Sequence, residues 1–202
     1  MIIWERLPCR VEYKGKTYRL KTSFDRVLEA VSVFGDEALL PDDRLRYALS
    51  LLIRGRCPLD PDLLGAAIAV LSGASPEEGE GDRVLDFRQD GAYIYAAFRQ
   101  AYGIDLFKER GRLHYAKFIA LLQALPADTR LSEIIRIRCK TVPAATKYNA
   151  AEIQNLMKAK ARYRIIKTEE EEKRDYQKSL QSFAQTLIGM AERGEKEGKM
   201  DG

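Results

Sequence analysis

The chain opens on alternation. Arg10-Val11-Glu12-Tyr13 and Thr17-Tyr18-Arg19-Leu20 switch between polar and apolar at each step, and Lys14-Gly15-Lys16 between them supplies the glycine a tight reversal uses. This pattern predicts a hairpin over 9–21, with Val11 and Tyr13 on one face of the first strand and Tyr18 and Leu20 on one face of the second. Two strands bury too little to stand alone, so the hairpin should pack on the helices downstream.

The period then lengthens to that of a helix. Thr22 or Ser23 can cap a helix over about 23–34, with apolar positions Phe24, Val27, Leu28 and Val31 and with Gly35 placed to end it. A second helix, about 42–54, opens near Pro41-Asp42-Asp43, turns Leu45, Ala48, Leu49 and Leu52 inward and stops at Gly55. A third, about 61–72, begins at Asp60-Pro61 and ends at Gly73. Between Ser75 and Asp82 breakers alternate with acidic residues and nothing can be buried, which predicts a mobile surface loop over 74–83.

Asp86 can cap a helix over about 87–102 that carries Phe87, Ile94, Ala97, Phe98 and Ala101, and Gly103 would close it. Leu113, Phe118, Leu121 and Leu122 outline a helix over 113–125 that Pro126 stops, and a short helix follows over 131–138. Asn149 with Glu152 has the spacing of a capping box, which predicts the start of a long helix through Ile153, Leu156, Met157 and Tyr163. After a charged stretch, Tyr176, Leu180, Phe183, Leu187 and Met190 restore spacings of four and three. Glu169 with Lys173 and Glu170 with Arg174 are opposite-charge pairs that support an exposed helix, and Gly189, Gly194 and Gly198 predict fraying beyond it.

The expected fold is therefore mainly α. A small N-terminal β-hairpin packs on a multi-helix domain over 1–140, and a charged, amphipathic helical arm occupies 141–202. Such an arm either folds back on its own domain or lies in a partner's groove. The best candidates for partner or self-association contacts are Tyr176, Leu180, Phe183 and Leu187, four residues of the stripe.

Composition narrows the class. With 46% apolar and 32% charged residues in 202, the chain can build one sizeable core and is unlike a disordered sequence. No apolar run approaches the roughly 18 residues that cross a bilayer, and Met1-Ile2-Ile3-Trp4-Glu5-Arg6 lacks the pattern of a leader, so a soluble protein of the cytoplasm without a membrane partner is expected. The 34 basic and 30 acidic residues nearly balance at +4, against a dedicated nucleic-acid binder. Cys9, Cys57 and Cys139 lie far apart without CxxC spacing, which suggests neither a disulfide framework nor a zinc site.

No constellation argues for catalysis, a metal or a cofactor. The single histidine, His114, has no cysteine or second histidine at ligand spacing, and a place in a packed helix explains it. Asp86, Asp90 and Asp105 could converge, but helix caps and turns account for two of them. Tyr93, Tyr95, Arg99, Tyr102 and Tyr115 could stack bases and contact phosphates, and core or interface packing explains them more simply. Glu169-Glu170-Glu171-Glu172 is explained as a solvated helix face.

The middle section carries a resemblance. Asp86-Phe87-Arg88-Gln89-Asp90-Gly91-Ala92-Tyr93-Ile94-Tyr95-Ala96-Ala97-Phe98, then Tyr102-Gly103-Ile104-Asp105-Leu106 and Leu113-His114-Tyr115-Ala116-Lys117-Phe118, resembles the bacteriophage gene-product-fifteen family. The similarity continues through Leu121 to Thr129 and Ile134 to Arg138, includes Leu7-Pro8, Gly15 to Tyr18 and Phe24, and covers roughly residues 5 to 140. Where the family often has a tryptophan after the histidine, this chain has Tyr115 and then Ala116.

The resemblance implies a non-enzymatic tail assembly chaperone of a phage or prophage with a long non-contractile tail. It would bind the tape-measure protein, with the tail-tube protein as a further partner, act as a homo-oligomer in the host cytoplasm, and be absent from the finished virion. The same helical composition also suits a structural tail or head-tail connector component retained in the particle. A basic nucleic-acid-binding regulator is a weaker alternative, motivated by the pI near 8.9 and by Lys158-Ala159-Lys160-Ala161-Arg162-Tyr163-Arg164.

Overall fold

The computed structural model describes residues 6–36, 38–72 and 84–166. Among them the chain forms a two-stranded antiparallel sheet, β1 (Arg10–Tyr13) and β2 (Lys16–Arg19), followed by α1 (Phe24–Phe34), α2 (Pro41–Leu52), α3 (Pro61–Ser72), α4 (Gly91–Tyr102), α5 (Tyr115–Gln123), α6 (Arg130–Cys139) and α7 (Ala150–Tyr163). The mainly helical fold with an N-terminal hairpin expected from periodicity is the fold observed.

The hairpin turns tightly because Lys14 and Gly15 both adopt positive φ, 47° and 73°, the twist that joins two antiparallel strands without splaying them. Val11 stands opposite Tyr18, and both face the helices, as do Tyr13 and Leu20. A third short segment extends the sheet, since Leu20 bridges Ile53 just after α2 and backbone bonds join Lys21 N to Leu52 O and Arg54 N to Arg19 O. The hairpin is also tied to α3 by Asp60 Oδ2, which accepts from the Tyr13 hydroxyl at 2.6 Å and from Lys14 Nζ at 2.8 Å.

Two hydrophobic clusters share α1. Val27 and Ala30 belong to the first, with Val11, Leu20, Leu45, Leu49, Leu52 and Ile53 and with Leu63, Leu64 and Leu71 of α3. Phe24, at the start of α1, belongs to the second, where its ring stacks on Phe118 at 4.8 Å and Phe118 stacks on Phe98 at 5.2 Å. Leu131 of α6 completes that aromatic core. One helix thus serves two cores, with its buried residues Phe24, Val27 and Ala30 along one face.

Several local expectations are corrected. Val31 is not inward but exposed, because Ala30 takes the inward place and rotates Val31 to the flank. Ser23 stands at the N-cap of α1, yet its side chain makes no cap bond; its backbone is instead engaged in a bridge to His114. α2 ends at Leu52 rather than 54, since Ile53 is drawn into extended pairing with Leu20. α4 starts at Gly91, four residues later than predicted, because Asp86 closes a turn instead: its Oδ1 accepts from the amides of Arg88 and Gln89 at 2.8 and 2.7 Å. α5 starts at Tyr115, not 113, as Leu113 and Tyr115 donate or accept backbone bonds with Phe24 and Thr22.

The predicted capping box at Asn149 does not form. Asn149 Oδ1 accepts from Thr146 N at 2.7 Å, its Nδ2 donates to Ala144 O, and Glu152 lies 3.4 Å from Lys140 Nζ. The helix it introduces closes at Tyr163, and residues 164–166 are not helical, so the arm is not one uninterrupted helix from 149. Within a compact unit that runs to Tyr163, α7 packs on α6 with Leu156 buried, and its Lys160 Nζ donates to Arg138 O at 2.7 Å. The loop predicted over 74–83 and the arm beyond 166 lie outside the described residues.

Candidate functional site

The carboxylates in the middle section do not converge. Asp86 is committed to its own turn, Asp105 Oδ1 accepts from the Phe107 amide at 3.1 Å, and Asp90 is withdrawn into the fold. Asp90 Oδ1 and Oδ2 accept from Arg138 Nη2 and Nη1 at 2.8 and 2.6 Å, a bidentate pair with side chains only 1% and 8% exposed. Arg138 Nε also donates to Tyr163 O at 2.6 Å and Nη1 to Val84 O at 3.0 Å, so each of the three guanidinium nitrogens has an acceptor. The pair clamps the segment before α4, α6 and the end of α7. Its role is structural, and among the described residues no group of three or more histidine, cysteine, aspartate or glutamate side chains could hold a metal.

His114 is not inside a helix; it is the N-cap of α5. Its Nδ1 accepts from the Ala116 amide at 3.1 Å and its Nε2 lies 3.1 Å from Pro8 O. Because an amide hydrogen points at Nδ1, the ring proton sits on Nε2 and is donated to the Pro8 carbonyl. Both nitrogens therefore tie the N-terminal segment to α5. The sequence signal for this role was weak, since histidine is not among the residues that favour an N-cap.

Instead of forming a stacking platform, the aromatic residues of the middle section pack inward or pair locally. Tyr93, Tyr95, Tyr102 and Tyr115 all rest on the second core, and the Tyr102 hydroxyl donates to Leu121 O at 2.8 Å. Burial pushes the Tyr115 hydroxyl above its ordinary pKa. Arg99 Nη1 donates to Gly103 O at 2.9 Å, across the C-cap of its own helix, where Gly103 adopts the left-handed φ of 66° that ends α4.

The surface does present apolar side chains. Val31 and Phe34, three positions apart on α1, are 47% and 44% exposed, and Leu39 and Leu40 follow in the connection to α2, with Leu40 70% exposed. This corner sits at one end of the α1–α2 pair. Sequence periodicity missed it by turning Val31 inward, although Leu39-Leu40 between Gly35 and Pro41 was a signal: two leucines in a connection have no helix face to hide on. Further exposed apolar side chains are Phe107, which leans on Tyr95 at 5.2 Å, and Tyr148 and Met157 at and beyond the start of α7. Of the basic segment 158–164, Lys160 is engaged with α6, and Arg162 lies 5.6 Å over the Tyr163 ring. The candidate contacts Tyr176, Leu180, Phe183 and Leu187 lie outside the described residues.

A protein-family model described as Bacteriophage Gp15 protein matches residues 3–165, which takes in both cores and all of α7. No curated protein and no solved structure matches the chain.

Proposed function

This chain belongs to the bacteriophage Gp15 protein family and is a phage protein, and from that premise we propose that it is a tail assembly chaperone. It binds the tape-measure protein and keeps it soluble while a non-contractile tail is built. The work takes place in the host cytoplasm, several copies act together, the tail-tube protein displaces them, and the finished virion lacks them.

The observation that carries this proposal is the exposed apolar corner of Val31, Phe34, Leu39 and Leu40 where α1 leads into α2. A tape measure is a long helical protein with apolar stripes that must be shielded before assembly, and an apolar corner at the end of a helix pair accepts such a stripe. The charged residues around the domain keep the complex in solution. Additional contacts come from Tyr176, Leu180, Phe183 and Leu187, whose spacing suits helix-to-helix packing.

Co-expression with the tape-measure protein of the same phage, followed by size-exclusion chromatography with light scattering, tests the proposal. A soluble complex with several copies of this chain supports it. An insoluble tape measure, with this chain eluting free, sinks it. Mass spectrometry of purified virions gives a separate check, since stoichiometric amounts of this chain in the particle would instead make it a retained tail or connector component.

A further inference from the structure

The outer face of the small sheet carries a row of like charges. Arg10 pairs directly with Arg19 in the β1–β2 register, and the Leu20–Ile53 bridge with the Arg54 N to Arg19 O bond of 2.9 Å sets Arg54 beside Arg19 on the other side. Directly paired residues of a sheet share a face. Val11, Leu20 and Ile53, each one step along its strand, are buried, so the arginine row points away from the core. All three arginines are exposed.

Like charges directly opposite each other weaken a sheet, and this sheet has only two full strands to lose. None of the three guanidinium groups makes a hydrogen bond or ion pair among the described residues. Two neighbouring lysines are engaged elsewhere: Lys14 is paired with Asp60 and Lys21 Nζ donates to Ser50 O at 2.7 Å. The row is thus an unfavourable local arrangement that no direct ion pair offsets, which is where function is expected to override folding.

We propose that Arg10, Arg19 and Arg54 form a docking row for an acidic helical segment of a partner protein. Adjacent strands stand about 4.8 Å apart, so the row advances in steps of about 5 Å over about 10 Å. Carboxylates three and four residues apart on a helix stand about 5–6 Å apart, close to that step. The guanidinium fork takes a carboxylate in two parallel bonds, a geometry that three lysines would not offer. A nucleic-acid backbone fits less well. The hairpin tyrosines Tyr13 and Tyr18 are turned to the core and offer no base a stacking surface, while Glu12, on the same face two residues from Arg10, repels carboxylate and phosphate alike and confines either anion to the arginine end of the sheet. This docking row stands independently of the tape-measure proposal, because neither probe that tests it contains tape-measure sequence.

The test is fluorescence anisotropy with the full chain and two labelled probes: an alanine-based helical peptide of about 20 residues with glutamate at every fourth position, and an oligothymidylate of similar length. The wild-type chain should bind the peptide more tightly than the oligonucleotide. The Arg10→Gln, Arg19→Gln, Arg54→Gln triple variant should lose about tenfold or more in peptide affinity while its circular dichroism is unchanged. If the triple variant does not fold, Arg19→Gln alone, at the centre of the row, should lose several-fold. No peptide binding by the wild type, or equal affinity in the folded variants, overturns the proposal. Tighter binding of the oligonucleotide, abolished by the same substitutions, overturns it in favour of a phosphate-binding face.

Discussion

Asp90 and Arg138 stand 48 residues apart in the chain and meet as a buried, two-bond ion pair at 2.6 and 2.8 Å. The Asp90 backbone also serves α4 directly, its carbonyl accepting from Ile94 N at 2.9 Å, while Asp86 N donates to Asp90 Oδ2 at 3.0 Å. A guanidinium stripped of water and left without its carboxylate has no escape to solvent here, so breaking the pair costs far more than the pair itself contributes.

Asp90→Ala should therefore destabilise the domain by about 3–5 kcal/mol, lowering the melting temperature by about 10 °C. The double variant Asp90→Leu with Arg138→Met removes the stranded charge. It should recover part of that loss, though not the bonds from Arg138 to Tyr163 O and Val84 O. Urea unfolding of the three proteins measures the difference; equal stability of Asp90→Ala and wild type would contradict the clamp.

Phe118 is 1% exposed and touches the rings of Phe24, Phe87, Phe98 and Tyr115. Phe118→Ala opens a cavity in the second core that its stacked neighbours cannot close without leaving their rotamers. The expected cost is about 3–5 kcal/mol, and Phe118→Leu should cost distinctly less. Denaturant midpoints at constant slope would establish both values.

The Asp60 carboxylate is held down to about 2, from an ordinary 3.8, by the hydrogen bonds it accepts from Lys14 and Tyr13. Its stabilising contribution is complete above the ordinary value and is lost as pH falls from about 4 to about 2. Lys14 and Tyr13 are both raised by the same hydrogen bonds, so their contribution is present below about pH 10 and lost above it. Melting temperature followed from pH 6 to 2 should fall less steeply in Asp60→Asn than in wild type, and parallel curves over that interval would count against the Asp60 linkage.

Leu40 allows folding and binding to be separated. It stands at the N-cap of α2 with extended backbone and no side-chain cap bond. An aspartate there can accept from a free amide of the first turn, so Leu40→Asp should leave stability unchanged or raise it by up to about 1 kcal/mol. The same change places a charge in the apolar corner, and the variant should solubilise less tape-measure protein at equal expression. Undiminished solubilisation by Leu40→Asp combined with Val31→Glu would remove the corner from the binding surface.

Much of the fold was legible because its signals are local. The alternation of Val11, Tyr13, Tyr18 and Leu20, the prolines at 41 and 61, and the glycine after Tyr102 each act through the stereochemistry of a few neighbouring residues, and the elements they predict are observed close to the expected places. The resemblance carried by Asp86 to Phe118 identified the family from sequence alone, and the family model agrees. The candidate site was far less legible. Periodicity turned Val31 inward because valine suits a helix's buried face, and only the packing of Ala30 into the first core decided otherwise.

The sequence by itself determined the class of fold and the order of its elements, since these depend on periodicity, turn residues and residue type. Tertiary structure alone decided that Asp90 clamps Arg138, that His114 caps α5 against Pro8, and that three arginines from distant positions share one face. Local pattern constrains which way a side chain points relative to its own backbone. It carries no information about which distant group will be waiting there, because that partner is selected by the packing of whole helices and becomes defined only when the cores close.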